Sequence, residues 1–125
     1  VVELAKHSDI LLSILPGGQE TKGIVDAEVL KSLGPKGIFI NIGRGTSVNE
    51  NDLINSLSQE TIAAAGLDVY ESEPKVPKAL RELDNVVLLP HIGSATLQTR
   101  AAMGNLLLEN LNAFFSKKSL ISEIA

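Results

Sequence analysis

The stretch GIFINI, residues 37–42, stopped at once by glycine, decides the fold of this chain. A short run that is apolar at nearly every position is typical of a strand in a parallel sheet, where both faces are covered. Three further runs have the same character, and they are DILLSIL (9–15), AAAGLDV (63–69) and VVLLP (86–90). We therefore expect four strands whose two faces are both buried.

Helical segments separate these runs. Asp26 is a candidate N-cap for a helix over residues 26–33, which the pair Gly34-Pro35 would end. Further helices are predicted over residues 49–59, as a single turn over 78–82, and from residue 94 or 95 to about 116. Strands that alternate with helices indicate a doubly wound α/β domain, here followed by a long C-terminal helix.

Composition limits the class of protein. The chain has 125 residues and no cysteine. Its net charge of −4 argues against nucleic acid as its main partner. No apolar stretch approaches the roughly 20 residues of a membrane helix, so we expect no membrane contact and a cytoplasmic location. The chain does not begin with Met, and we expect it to be a piece of a larger protein. We predict no metal site.

Arg44, Glu73 and His91 each follow an apolar run closely. The carboxyl ends of parallel strands share one edge of the sheet, where open α/β sheets bind ligands, so we expect the three side chains to converge. Arginine can hold a carboxylate and polarise a neighbouring carbonyl, while histidine can donate a proton. A carboxylate beside the histidine stabilises the imidazolium. Together the three residues suit the reduction of a carbonyl next to a carboxylate.

Each of these residues has a simpler interpretation. Arg44 could be a turn arginine that pairs with a nearby acid, although its flanking glycines permit close approach of the backbone and favour a functional role. Glu73 could be a solvated loop acid, and Glu71 competes with it for the role of carboxylate. His91 taken by itself is better explained as a structural histidine. The presence of all three residue types favours the functional interpretation.

Four ordered motifs carry a resemblance to a known family. LP-x-x-x-x-T-x-G-I-V (15–25), FINIGRG (39–45), AGLDVYESEP (65–74) and NVVLLPHIGSAT (85–96) together resemble the D-isomer-specific 2-hydroxyacid dehydrogenases, and in particular the glyoxylate and hydroxypyruvate reductases. The resemblance implies that residues 1–94 are the C-terminal half of a Rossmann-type NAD(P)-binding domain. Residues 95–125 would then form a long helix and a return segment toward a substrate domain.

The resemblance also implies a reaction. Such an enzyme transfers a hydride between NAD or NADP and a small 2-oxoacid such as glyoxylate or hydroxypyruvate, giving the D-2-hydroxyacid. Arg44 would anchor the substrate carboxylate, His91 would be the acid and Glu73 its partner. The glutamate excludes the formate-oxidising branch, which carries glutamine there. The implied cofactor contacts are Leu15, Pro16, Ile42, Gly43, Arg44, Asp68, His91, Gly93 and Ser94.

Two further expectations follow. The glycine-rich pyrophosphate motif G-x-G-x-x-G does not occur in this chain, and the resemblance places it upstream, on a strand that pairs with residues 9–15. The full-length protein would be a homodimer, while this chain by itself would associate through its uncovered edge. The alternative function is a cofactor-sensing regulatory module, because relatives of this fold also serve as regulators.

Overall fold

Four parallel strands form the sheet of the protein. The structure is a computed structural model that describes residues 1–123, and it divides into one unit over residues 1–91 and a second unit from residue 92 onward. The first unit holds the sheet, in the spatial order β1 (Ile10–Ser13), β2 (Ile38–Asn41), β3 (Ala64–Leu67) and β4 (Val86–Leu88). All three neighbouring pairs are parallel, which confirms the predicted α/β sheet.

A helix follows each strand close to the predicted position, and a further helix precedes β1. Asp26 caps α2 (Ala27–Leu33), because its Oδ1 accepts hydrogen bonds from the N–H groups of Glu28 and Val29, both at 3.0 Å. A 3₁₀ turn over Gly45–Ser47, which the sequence did not predict, lies between β2 and α3 (Glu50–Ser58). The helices are α1 (Val2–Lys6), α2 (Ala27–Leu33), α3 (Glu50–Ser58), α4 (Lys78–Arg81) and α5 (Leu97–Phe115).

The core lies between one face of the sheet and the helices. Alternate strand residues point to this face, and Phe39 at the centre of β2 is fully buried there. Helices α1, α2 and α3 pack in succession against one another and close the same face. Apolar side chains from strands and helices share this core, among them Ala5, Leu11, Leu30, Phe39, Leu53, Leu57, Ala65 and Leu67.

The helices of the first unit leave the opposite face of the sheet uncovered, so burial of both faces, as expected from the sequence, is not met within this unit. The prediction placed both faces of every strand inside the protein, but Ile14 is 69% exposed and Val87 is 63% exposed. Ile10 and Leu12 on β1 are also more than half exposed. The physical reason is that α1, α2 and α3 all contribute to the one buried core, so none of them covers these side chains.

The second unit consists of a turn, α5 and a segment that folds back on the helix. Thr96 caps α5 through a hydrogen bond from the Thr99 N–H at 3.1 Å. Near the other end, Asn110 Oδ1 accepts hydrogen bonds from the N–H groups of Ile121 and Ser122. No residue of α5 is buried. Over residues 1–123, no helix combines the length and apolar character that crossing a membrane requires.

Candidate active site

Three loops leave the carboxyl ends of β2, β3 and β4. Arg44 lies three residues beyond the end of β2, Glu73 lies on the loop after β3, and His91 follows β4. Because these strands are neighbours in the sheet and run in the same direction, their carboxyl ends lie along one edge. The segments that the sequence predicted to meet are therefore adjacent.

Glu73 and His91 form a hydrogen-bonded pair. The Nδ1 atom of His91 lies 2.7 Å from Oε2 of Glu73, and the Tyr70 N–H donates to Oε1 of the same carboxylate at 3.0 Å. The bond from His91, followed by that from Tyr70 and the charge of Arg44, lowers the pKa of Glu73 despite its partial burial. Glu73 is therefore an ionised acceptor at neutral pH, and His91 Nδ1 is the donor.

His91 has an uncommon backbone conformation. Its φ is 56°, in the left-handed region, which histidine enters more often than most residues other than glycine. The chain turns here immediately after Pro90, and the side chain remains 45% exposed. Because Nδ1 is engaged with Glu73, Nε2 is the ring nitrogen that can exchange a proton with a substrate.

Arg44 is an exposed cation beside this pair. Its Nη1 donates to the carbonyl of the preceding residue, Gly43, at 2.8 Å, and its side-chain carbons lie close to Gly17. Its charge contributes to the lowered pKa of Glu73, yet Arg44 forms no ion pair with any group in residues 1–123. The simpler interpretation, a turn arginine paired with a nearby acid, does not describe this structure.

A buried polar network holds the Arg44 turn. Asn41 donates from Nδ2 to the Arg44 carbonyl at 3.1 Å and accepts the Gly43 N–H at Oδ1, also at 3.1 Å. Ser47 Oγ donates to the same Arg44 carbonyl at 2.7 Å and lies 3.2 Å from Ser13 Oγ. The sequence analysis did not single out the two serines. The available signal was a polar residue at the end of an apolar strand, as in ILLS.

Gly43 and Gly45 bring neighbouring strand ends together. A Cβ atom on Gly43 would lie 2.6 Å from the Leu15 carbonyl oxygen, and one on Gly45 would overlap the Tyr70 carbonyl group. From the sequence, these glycines were expected to permit close approach of the backbone in a functional site. In this structure the main chain of the adjacent loops makes that approach.

Most of the predicted cofactor contacts lie along the same edge. Leu15 and Pro16 follow β1, and Ile42 is held beside them because its N–H donates to the Ser13 carbonyl at 3.1 Å. Asp68, immediately after β3, is buried and donates its N–H to the Asn41 carbonyl at 3.0 Å. The remaining two predicted contacts, in the turn before α5, belong to the second unit and are Gly93 and Ser94.

A cavity of about 280 Å³ adjoins the Glu73–His91 pair. Its walls are mostly apolar, and Arg81 of α4 also contributes to them. Tyr70 lines this cavity and bonds to Glu73, and it was not among the site residues predicted from the sequence. Within residues 1–123 no group of three or more histidine, cysteine or acidic side chains is placed to hold a metal ion.

Comparison with known proteins identifies the family. Residues 1–93 match the family model described as D-isomer specific 2-hydroxyacid dehydrogenase, NAD binding domain. The chain belongs to the D-isomer specific 2-hydroxyacid dehydrogenase family. This finding confirms the resemblance seen in the four motifs and the Rossmann-type class of the sheet.

Individual members of the D-isomer specific 2-hydroxyacid dehydrogenase family are closely similar. Glyoxylate/hydroxypyruvate reductase A of Arabidopsis thaliana is 51% identical over 99% of this chain, and hydroxyphenylpyruvate reductase of Plectranthus scutellarioides is also 51% identical over 99%. The chain spans 40% of the length of each of these relatives.

A solved structure has the same fold. The NADPH-dependent glyoxylate/hydroxypyruvate reductase of Sinorhizobium meliloti, crystallised with NADP and malonate, superimposes with a TM-score of 0.94 at 48% identity. The superposition covers 99% of this chain and 39% of that one.

Proposed function

We propose that the protein carrying this chain is an NAD(P)-dependent reductase of small 2-oxoacids, with Arg44, Glu73 and His91 as its catalytic residues. The substrate class includes glyoxylate and hydroxypyruvate, and the product is the D-2-hydroxyacid. The observation that carries the proposal is the 2.7 Å contact between His91 and Glu73 at the carboxyl ends of parallel strands. The names of the most similar relatives support the choice of substrate.

His91 supplies the proton in this proposal. Reduction of a carbonyl adds a hydride to carbon and leaves negative charge on oxygen, which a proton must neutralise. Glu73, ionised at neutral pH, accepts the Nδ1–H of His91 and stabilises the imidazolium form. The Nε2–H of that imidazolium donates its proton to the substrate oxygen, and His91 later recovers a proton from water.

Arg44 holds the substrate carboxylate. A guanidinium presents its donors in a planar fork that matches the two oxygens of a carboxylate, and it remains charged at any physiological pH. The Arg44 side chain is exposed and has no acidic partner in the described part of the chain, so its charge is available to an anion. The buried network at the Arg44 carbonyl fixes the turn from which the side chain extends.

The strand ends fit a nicotinamide cofactor. Ile42 offers exposed apolar surface at the end of β2, and buried Asp68, directly after the neighbouring β3, carries a carboxylate; this pairing suits a flat ring that carries an amide. When bound, the reduced nicotinamide supplies the hydride. Residues that would hold it are Leu15, Pro16, Ile42, Gly43, Arg44, Asp68, His91, Gly93 and Ser94.

The wider organisation of the protein is also part of the proposal. Residues 1–94 would be the C-terminal half of the cofactor domain, and residues 95–125 would lead toward a substrate domain. We further propose a cytoplasmic homodimer that acts on small acids without nucleic acid or membrane partners. The net charge of −4 agrees with an absence of nucleic-acid binding.

Steady-state kinetics of the full-length protein test the proposal. His91→Ala should lower kcat for glyoxylate by about 100-fold or more, the range for loss of a general acid, while NADPH binding followed by fluorescence persists. Arg44→Ala should raise KM for glyoxylate, because it removes the carboxylate anchor. His7→Ala is the matched control, since His7 is the other histidine of this chain and lies directly after α1, paired with Glu3.

The regulatory alternative gives a different result. A cofactor-sensing module would bind NADPH but would reduce none of the 2-oxoacids, and His91→Ala would leave its binding properties intact. Near wild-type turnover by His91→Ala would show that the proposed acid is wrong.

A further inference from the structure

Tyr70 contacts all three segments of the candidate active site. Its N–H donates to Oε1 of Glu73 at 3.0 Å, and its hydroxyl lies 2.8 Å from the carbonyl oxygen of Leu89, two residues before His91. Its own carbonyl packs against Gly45, directly after Arg44.

The hydroxyl of Tyr70 connects β3 to the end of β4. It lies 3.2 Å from the Leu67 carbonyl as well as 2.8 Å from that of Leu89, so its single proton points mainly to Leu89. The Leu89 N–H donates back to the Leu67 carbonyl at 2.8 Å. Tyr70 is only 6% exposed, which limits competition from water for the bond.

The hydrogen bond to Leu89 bears directly on His91. Pro90 lies between them with a fixed φ, so the position of the Leu89 carbonyl determines where the His91 turn begins. His91 then turns with a φ of 56°, a conformation that persists only where neighbouring contacts enforce it. The Tyr70 hydroxyl positions His91 through Leu89, and the Tyr70 N–H positions the Glu73 carboxylate. Tyr70 therefore positions both partners of the His91–Glu73 hydrogen bond.

We propose that the Tyr70 hydroxyl is a positioning group for the proposed reductase, which aligns His91 with Glu73 through the Leu89 carbonyl. This inference rests on the function proposed above. Phenylalanine would keep the ring packing but would leave the Leu89 carbonyl without this donor. His91 could then adopt orientations in which Nε2 is misaligned with the substrate oxygen, and misplacement by about 1 Å can cost about 100-fold in rate.

The protonation of Tyr70 suits this role. Burial, assisted by the negative charge of Asp68, raises the pKa of Tyr70 above its ordinary value. The hydroxyl consequently remains a donor throughout the pH range in which a reductase works.

Replacing the hydroxyl tests the proposal in the full-length protein. Tyr70→Phe should lower kcat for glyoxylate by about 10- to 100-fold and leave NADPH affinity within about twofold. Substitution of Tyr70 by 4-aminophenylalanine, which keeps a donor at the para position, should restore most of the rate. Ser58→Ala is the control, because it removes another hydroxyl-to-carbonyl bond, at 2.8 Å to Ile54, far along α3.

A double-mutant cycle separates positioning from general stability. If Tyr70 acts through the pair, Tyr70→Phe should cause no further loss of kcat in a Glu73→Gln background. Additive losses would overturn the proposal, as would a Tyr70→Phe variant with the rate of the wild type. Failure of 4-aminophenylalanine to restore the rate in a folded protein would also overturn it.

Nuclear magnetic resonance gives a test that does not depend on activity. In the wild type, the Tyr70 hydroxyl proton should exchange slowly and couple to the Leu89 carbonyl carbon, and in Tyr70→Phe the Glu73 carboxyl should titrate at higher pH. A rapidly exchanging hydroxyl proton would refute the positioning role even in an active enzyme. The proposed function would instead be refuted if the wild type had no reductase activity although its Tyr70 hydroxyl proton exchanged slowly and the Glu73 titration shifted in Tyr70→Phe.

Discussion

Replacement of Gly45 by alanine should separate the loops that form the candidate site. The added Cβ would lie 2.5 Å from the Glu71 nitrogen and would overlap the Tyr70 carbonyl group. Non-bonded heavy atoms prefer separations of about 3.5–4.0 Å, so the loop after β3 must move by about 1 Å or more. That loop carries both Tyr70 and Glu73, and the shift should weaken the contact with His91.

The cost can be estimated from the packing. Overpacking a close contact usually destabilises a protein by about 1–3 kcal/mol, and here the obstacle is main chain, which cannot move aside as a flexible side chain would. With a urea m-value of about 1.5 kcal/mol per molar, a loss of about 2 kcal/mol lowers the unfolding midpoint by about 1 M.

Urea denaturation of the dilute chain measures this loss. The chain contains one tyrosine and no tryptophan, so Tyr70 fluorescence reports on the first unit directly. Gly66→Ala is the matched control, because its Cβ would meet only Ile40 Cγ1 at 3.9 Å, an ordinary contact. Equal midpoints for the wild type, Gly66→Ala and Gly45→Ala would refute the packing argument.

Three further predictions concern stability and association. The pKa of Glu73 is lower in the folded state, so its pair with His91 stabilises the fold above the unfolded pKa of about 4.3 and stops doing so as the pH falls through the folded value. In urea titrations from pH 7 to pH 3, Glu73→Gln should reduce the loss of the free energy of unfolding at acid pH. An unchanged loss would contradict the assignment. Asp26→Ala should cost about 1 kcal/mol, because it removes the cap of α2, whereas Asp26→Asn should cost much less in the same titrations. The isolated chain should associate in sedimentation experiments through the exposed apolar residues of β1 and Ile14 directly after it, and Ile14→Lys should reduce that association unless another surface is responsible.

Local signals made most of the fold predictable. Each strand is an apolar run bounded by glycine, proline or polar residues, and Asp26 marks the start of α2 by the same side chain that caps it. The start of α5 was placed two or three residues early, because Thr96 was not recognised as the cap that precedes Leu97.

Features that depend on the third dimension were not predictable in the same way. An apolar residue such as Ile14 or Val87 has the same sequence signal whether a helix covers its face or leaves it open. The pairing of Glu73 with His91 was predictable, since parallel strands bring their carboxyl ends together. The part played by Tyr70 was hidden, because it arises from one hydrogen bond to a residue 19 positions away and from the main chain of its own loop.

The structure of the full-length protein with NADPH and oxamate would show whether Arg44, Glu73 and His91 act on one substrate. Oxamate resembles glyoxylate, with an amino group in place of the aldehyde hydrogen, and it cannot be reduced in the same way. We expect the Arg44 guanidinium to contact the oxamate carboxylate and His91 Nε2 to lie about 2.6–3.2 Å from its amide oxygen, with Glu73 still bonded to Nδ1. Oxamate bound away from Arg44, or a His91 ring turned away from it, would show that these residues do not form the reductase site.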